Sequence, residues 1–318
     1  MQIPPRVALL ATGGTIACTL DASGRAVKTL RAADLAAIAG VRATPVDHGL
    51  LSSWNLAPPQ MLEIARLAER LLADHEGVVV AHGTDTLEET AALLSFAIRA
   101  PGTVVVTGAM RAADEPQSDG AANLRAACAT AADPAARGRG ALVVLGDEVH
   151  LATRVTKRHS AALAAFGSPV GGPVAVLDGD RVVWLAPPSS PTTYDVSHAD
   201  ADVPLLAAAP GSPVRLVDAA LDGADGLVIA GMGLGHLPSS WMPALSAAVA
   251  RGVPVVRATR TGAGPAAGRY SGPGGDVDAE ERGVLSAGLR SPYLARMELI
   301  CALGAGADSR AAFSRALP

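Results

Sequence analysis

Three apolar runs each end in side chains that can share one reaction. Val7 to Ala11 runs into Thr12-Gly13-Gly14-Thr15-Ile16-Ala17, Val78 to Val80 leads to His82-Gly83-Thr84-Asp85-Thr86, and an extended piece from Glu148 to Thr156 ends at Lys157. A hydroxyl is a poor nucleophile until a base takes its proton, and an amine is such a base once burial lowers its pKa. Threonines with a lysine therefore point to acyl transfer, with backbone N–H groups of the turns left for the oxyanion. A carboxylate nearby opposes the lowering, so Asp85 must serve another purpose. Binding a substrate ammonium is one.

These side chains need strand ends to hold them. The β-branched run 78–80 reads as a buried strand, and Leu87, Ala91, Leu94 and Ile98 recur on one face of a helix. His82 to Thr86 then lies at a strand's carboxyl end, where ligands bind in open α/β sheets. Thr86 and Glu89 have the spacing of a capping box, which starts the helix just after Asp85. Gly13 and Gly14 let a ligand or a second backbone approach closely. Their spacing is not a dinucleotide fingerprint. Residues 18–28 read as a loop beside the strand end and as a candidate lid.

Farther along, Leu30 to Ala39 reads as a helix, residues 50–55 as a turn, and Pro58-Pro59 as the opening of a helix with Ile64, Leu67 and Leu71 on one face. Ser52, Ser53 and Asn55 either cap that helix or line a site. Thr103 to Thr107 and Ala141 to Leu145 are further strands, separated by a helix from about Ala121 to Ala132. The alternation predicts a larger N-terminal α/β domain over 1–187, mainly a parallel sheet with helices on both faces. A Pro-, Ser- and Thr-rich linker over 188–213 follows. A smaller parallel-sheet α/β domain over 214–318 is expected to have strands at Val214 to Val217, Gly226 to Ala230 and Pro254 to Arg257. Gly262 to Gly275 reads as a long loop containing Arg269 and Tyr270.

Composition narrows the function classes. The chain has 318 residues, 49% hydrophobic, 3% aromatic, with a formal net charge of −4. That gives no electrostatic footprint for nucleic acid or an anionic membrane, and no apolar stretch reaches spanning length. The N-terminus shows no recognisable secretion signal, and three scattered cysteines argue against a disulfide framework. A cytoplasmic protein with a small-molecule partner is expected. The seven histidines lack metal-ligand spacing, so neither metal nor cofactor is expected.

Ala11-Thr-Gly-Gly-Thr-Ile-Ala17, His82-Gly-Thr-Asp-Thr-Leu-Glu-Glu-Thr90, and Thr107-Gly-Ala-Met-Arg111 with Ser118-Asp-Gly120 and Asn123 resemble the bacterial-type L-asparaginase and glutaminase-asparaginase family. The resemblance runs essentially end to end. It implies conversion of L-asparagine to L-aspartate and ammonia through a threonine-linked acyl-enzyme, in a homotetramer of intimately paired subunits. By position it makes Thr15 the nucleophile and Thr84, Asp85 and Lys157 the accompanying triad. Asp85 also holds the substrate ammonium, Ser53 its carboxylate, and Gly14, Gly83 and Trp54 border the substrate.

Departures from the family pattern bear on substrate choice. The lid residues Thr19 to Leu30 contain no tyrosine, Trp54 stands where Gln or Glu is usual, and His236 stands where Asn is usual. Tyr270 is a candidate replacement for the lid tyrosine, and Asp276 for an acid supplied by a neighbouring subunit. Alternative readings are the same chemistry on glutamine, a D-amino acid amide or a peptide-linked asparagine, and a non-catalytic amino-acid sensor.

Overall fold

The computed structural model describes residues 6–188 and 190–315. The chain divides between Thr193 and Tyr194 into two compact units. In the first, five parallel strands run across the sheet in the order Leu142–Leu145, Thr103–Thr107, Gly77–Ala81, Val7–Gly13 and Thr44–Leu51. Glu148–Leu151, Ala175–Asp178 and Arg181–Trp184 extend the first edge as antiparallel strands. Every residue of the strands at 7–13, 77–81 and 103–107 is buried. This is why they read as unbroken apolar runs and not as alternating ones.

Successive residues of a strand face opposite sides. Leu9, Ala11, Val79, Ala81 and Val105 share a core with Leu35 and Leu124, from helices Ala32–Ala39 and Gly120–Ala132. Val78, Val80, Val104 and Val106 are left for the other face. There, helices Pro58–Leu71 and Leu87–Ala97 pack on each other and on the sheet. The helices of two successive crossovers, 87–97 and 120–132, therefore lie on opposite faces although the chain moves the same way across the sheet. One of these crossovers has the left-handed sense that such connections rarely take.

The strand Val7–Gly13 is flanked by Thr44–Leu51 on one side and Gly77–Ala81 on the other. The chain's direction across the sheet reverses at this strand, which opens a crevice outside the strand ends. The loops carrying Thr15 and Thr84 leave from its two sides.

Several local expectations change. Residues 18–28 are not a plain loop but a hairpin, Cys18–Leu20 paired with Ala26–Lys28. Thr44–Leu51 escaped the sequence reading because this half-exposed edge strand carries Pro45, Asp47, His48 and Gly49 in place of an apolar run. In the second unit, parallel strands Leu205–Ala207, Leu227–Gly231, Val255–Thr259 and Leu285–Ser286 lie over a core that includes Trp241, Leu245, Ile229 and Val255. The first of these strands falls within 188–213, expected to be a linker. Arg215–Leu221 is a helix where a strand was expected, and Val217 alone of its residues is buried.

Arg290 and Glu298 form a buried ion pair in this unit, and Tyr194 donates its hydroxyl to Glu298 Oε1 at 3.1 Å. Removing one partner leaves the other charge buried and uncompensated. Glu298→Ala is expected to lower stability by about 3–5 kcal/mol in urea unfolding. A loss below about 1 kcal/mol, the worth of a surface pair, would show that the pair contributes little.

Candidate active site

The site is built on backbone contact. Gly13 and Gly14 take φ of 107° and 82°, values that L side chains rarely adopt. A methyl group on Gly14 would lie 2.3 Å from Gly83 Cα, and one on Gly83 would lie 2.5 Å from Ser53 Oγ. Three loops, from the ends of Val7–Gly13, Thr44–Leu51 and Gly77–Ala81, thus meet with no side chain between Gly14 and Gly83. Thr15 opens a short 3-10 turn directly after this contact and is half-buried.

Thr84 is buried, and its methyl fits because position 108 has no side chain: a methyl on Gly108 would lie 3.0 Å from Thr84 Cγ2. The loop containing Gly108 is held by Asn123, whose Nδ2 donates to Gly108 O at 2.9 Å and to Asp119 Oδ2 at 3.0 Å. Asp119 accepts the N–H groups of Met110 and Arg111 at 3.0 and 3.1 Å.

Lys157 reaches the same place from the two-residue strand Thr156–Lys157. Its Nζ donates to Thr84 Oγ1 at 2.9 Å and to Asp85 Oδ1 at 2.9 Å. The lysine side chain is 15% exposed and the aspartate 51%, so the pair spans from protected to open surroundings. Lys157 N–H donates to Glu88 Oε1 at 3.3 Å. Burial pushes the Glu88 carboxyl up despite hydrogen bonds from Thr156 and Lys157.

The expected capping box does not form. Thr86 sends its hydroxyl to Ser53 O at 2.9 Å and makes no cap hydrogen bond. That bond fixes the turn Ser53–Asn55, in which Ser53 is buried while Trp54 is 68% exposed at the rim. The lid hairpin is tied down by Leu20 N–H, which donates to the Asp114 carboxylate at 2.9 Å.

His82 is fully buried behind the loop, with Nδ1 2.7 Å from Gly83 O and Nε2 3.1 Å from Thr90 Oγ1. Burial lowers its pKa to about 4, so the neutral ring donates from Nδ1 and accepts at Nε2. No signal in the sequence assigned the roles of His82, Glu88 or Thr86, since each depends on which buried atoms meet.

The second unit gathers His236, Tyr270 and Asp276. The two rings meet edge to face at 5.3 Å, and His236 Nε2 is 3.7 Å from Asp276 Oδ1. Asp276 is fully buried, which raises its carboxyl, but N–H donors including Tyr270, Arg269 and Val277 outweigh this and lower it. It braces the loop that carries Tyr270, which is itself 55% exposed.

A hydroxyl hydrogen-bonded to an amine, a second hydroxyl one residue beyond the glycine contact and a carboxylate at the rim form a constellation for acyl transfer. The family model for the asparaginase N-terminal domain matches residues 6–190, and that for the glutaminase/asparaginase C-terminal domain matches 202–315. The chain belongs to the asparaginase family. This asparaginase-family chain is 39% identical to a probable L-asparaginase of Deinococcus radiodurans, over 96% of this chain and 94% of the relative. It is 33% identical to L-asparaginase 2 of Bacillus subtilis, over 94% and 82% of the two chains. It is also 34% identical to a component of the glutamyl-tRNA(Gln) amidotransferase of Haloquadratum walsbyi, over 98% and 74%.

His82 and the buried His150 both have pKa values lowered from 6.5 to about 4, first by burial. Between these values the unfolded chain binds the protons more readily, so the stability contributed by the neutral rings is full above pH 6.5 and is lost as pH falls toward 4. Denaturant unfolding from pH 7 to 4 should show this loss, a few kcal/mol for both rings. His82→Gln should flatten part of the slope; an unchanged slope would remove His82 as a source.

Proposed function

We propose that the protein hydrolyses L-asparagine to L-aspartate and ammonia through an ester on the Thr15 hydroxyl. The observation that carries this reading is the Lys157 ammonium bound to both Thr84 Oγ1 and Asp85 Oδ1 at 2.9 Å, on the loop that touches the Thr15 turn through Gly14 and Gly83. The Thr15 oxygen attacks the side-chain amide carbon, and its proton passes to the departing nitrogen. The developing oxyanion is met by backbone N–H groups of the two loops. Water, losing a proton to Lys157 by way of Thr84, then attacks the ester carbon. The bond to the Thr15 oxygen breaks, that oxygen takes its proton from the newly formed carboxylic acid, aspartate leaves as the carboxylate, and Lys157 gives its extra proton to solvent. For this step Nζ must be uncharged, and along the same line it then accepts the Thr84 proton. Asp85 holds the substrate ammonium and Ser53 lies on the carboxylate side.

The similarity to an amidotransferase component supports amide chemistry more broadly. Ammonia release from a panel of L-Asn, L-Gln, D-Asn and short Asn peptides separates these substrates, and we expect L-Asn to lead. We further propose a homotetramer of paired subunits. We place the protein in the cytoplasm on its three free cysteines, which suit a reducing compartment. A Haemophilus influenzae relative carries "periplasmic" in its name. Among the described residues no helix is long and apolar enough to cross a membrane.

Thr15→Ala and Thr84→Ala are each expected to lower kcat for ammonia release by orders of magnitude while unfolding cooperatively near the wild-type midpoint. Turnover close to wild type in either variant would take that hydroxyl out of the chemical step. Lys157→Met keeps the aliphatic stem but cannot exchange a proton. Its activity should fall steeply and the limb of the pH–rate profile belonging to the amine should vanish; an unaltered profile would exclude Lys157 as the base.

A further inference from the structure

The 26 basic residues of the chain are 24 arginines and two lysines. One lysine is Lys157. The other, Lys28, ends the lid hairpin, opposite Cys18 in the strand register. Its Nζ donates to Ser52 Oγ, on the residue just before Ser53, and lies 5.7 Å from the centroid of the Trp54 ring. Its charge also acts on the Cys18 thiol, whose sulfur is 3.3 Å from Gly14 O. The end of the lid hairpin thus carries this ammonium to the residue just before the Ser53 turn, beside the Trp54 ring.

Lys28 differs from Lys157 in one respect that matters. Lys157 is paired with Asp85, whereas among the described residues no carboxylate pairs with Lys28. A neutral hydroxyl and an aromatic face position the ammonium without cancelling its charge, and two of its three N–H donors stay open. A small substrate whose amide sits at Thr15 and whose ammonium meets Asp85 directs its carboxylate to the Ser53 side, where a neutral hydroxyl leaves the negative charge without a counter-ion.

We propose that Lys28, steadied by Ser52 and Trp54, is the counter-ion for the substrate's free carboxylate, so that the site selects small amides whose carboxylate is unsubstituted. This rests on the amidohydrolase reading of the site. An ester or peptide bond at that carboxyl would leave the ammonium facing a neutral group and forfeit a charge-assisted hydrogen bond. Trp54 then acts as the platform for the recognising cation, which gives a role to a bulky exposed ring beside a polar site.

The test is ammonia release from L-asparagine and from its α-methyl ester by the wild type, Lys28→Met and Lys28→Arg. The wild type should favour the free acid in kcat/KM by roughly 10- to 100-fold, the size of one hydrogen bond to a charged group. Lys28→Met should raise KM for the acid by a similar factor with little change in kcat, and the acid-over-ester ratio should collapse toward one. Lys28→Arg should recover part of the preference. An unchanged ratio in Lys28→Met, or an equal loss on both substrates, overturns the assignment while leaving the amidohydrolase reading intact. Release from neither substrate by the wild type overturns both. If Lys28→Met loses turnover altogether, L-aspartate binding by calorimetry decides. The assignment requires binding lost in Lys28→Met and retained in Lys28→Arg; the same affinity in both contradicts it.

Discussion

The first unit depends on one close approach, that of the Gly14 and Gly83 backbones at the place where the chain reverses its course across the sheet. Parallel strands are about 4.8 Å apart, and their loops normally splay once hydrogen bonding ends. Here a methyl group on Gly14 would sit 2.3 Å from Gly83 Cα, so the two loops can touch only because both positions lack side chains. The residues that follow, Thr15 and Thr84, therefore leave from a common point. Ser53 closes the third side of that point, and Thr86 ties its turn in place through Ser53 O. A rigid strand end supplies the positional accuracy that catalysis by proximity requires.

Charge is arranged around that contact with the same economy. His82, fully buried behind the loop, is held neutral, and burial pushes Glu88 toward its neutral form. The full charges lie closer to solvent: Asp85 is half exposed, and Lys28 stands beside the exposed Trp54 ring. Lys157 bridges the two zones, with its stem protected and its Nζ shared between Thr84 and Asp85. A zwitterionic amide has one charge of each sign to satisfy at the rim and a neutral amide to present at the interior. The site's distribution of charge complements that molecule.

Much of this was legible in the sequence. The buried strands announced themselves through β-branched runs, and the candidate residues Thr15, Thr84, Asp85 and Lys157 were picked out because each follows an extended run. What escaped were features fixed by distant partners. Thr86 looks like a helix cap locally, yet its hydroxyl donates to a carbonyl 33 residues away. The hairpin at 18–28 has no hydrophobic alternation, since Cys18 alone of its strand residues is buried. The edge strand Thr44–Leu51 hides behind Asp47 and His48, and the helix Arg215–Leu221 behind a short apolar run that suits either state. Lys28 lacks any local signal, for its meaning lies in having no anionic partner among the described residues.

The central claim is that a covalent ester forms on one threonine of this glycine-built crevice. The most direct measurement is rapid acid quenching of the protein during turnover of L-asparagine, followed by peptide mass spectrometry, with hydroxylamine added in a parallel run. The account requires a β-aspartyl adduct on the peptide containing Thr15, and aspartate β-hydroxamate as a second product when hydroxylamine intercepts the ester. Turnover with no adduct and no hydroxamate, or an adduct mapped to Thr84 in place of Thr15, would contradict it.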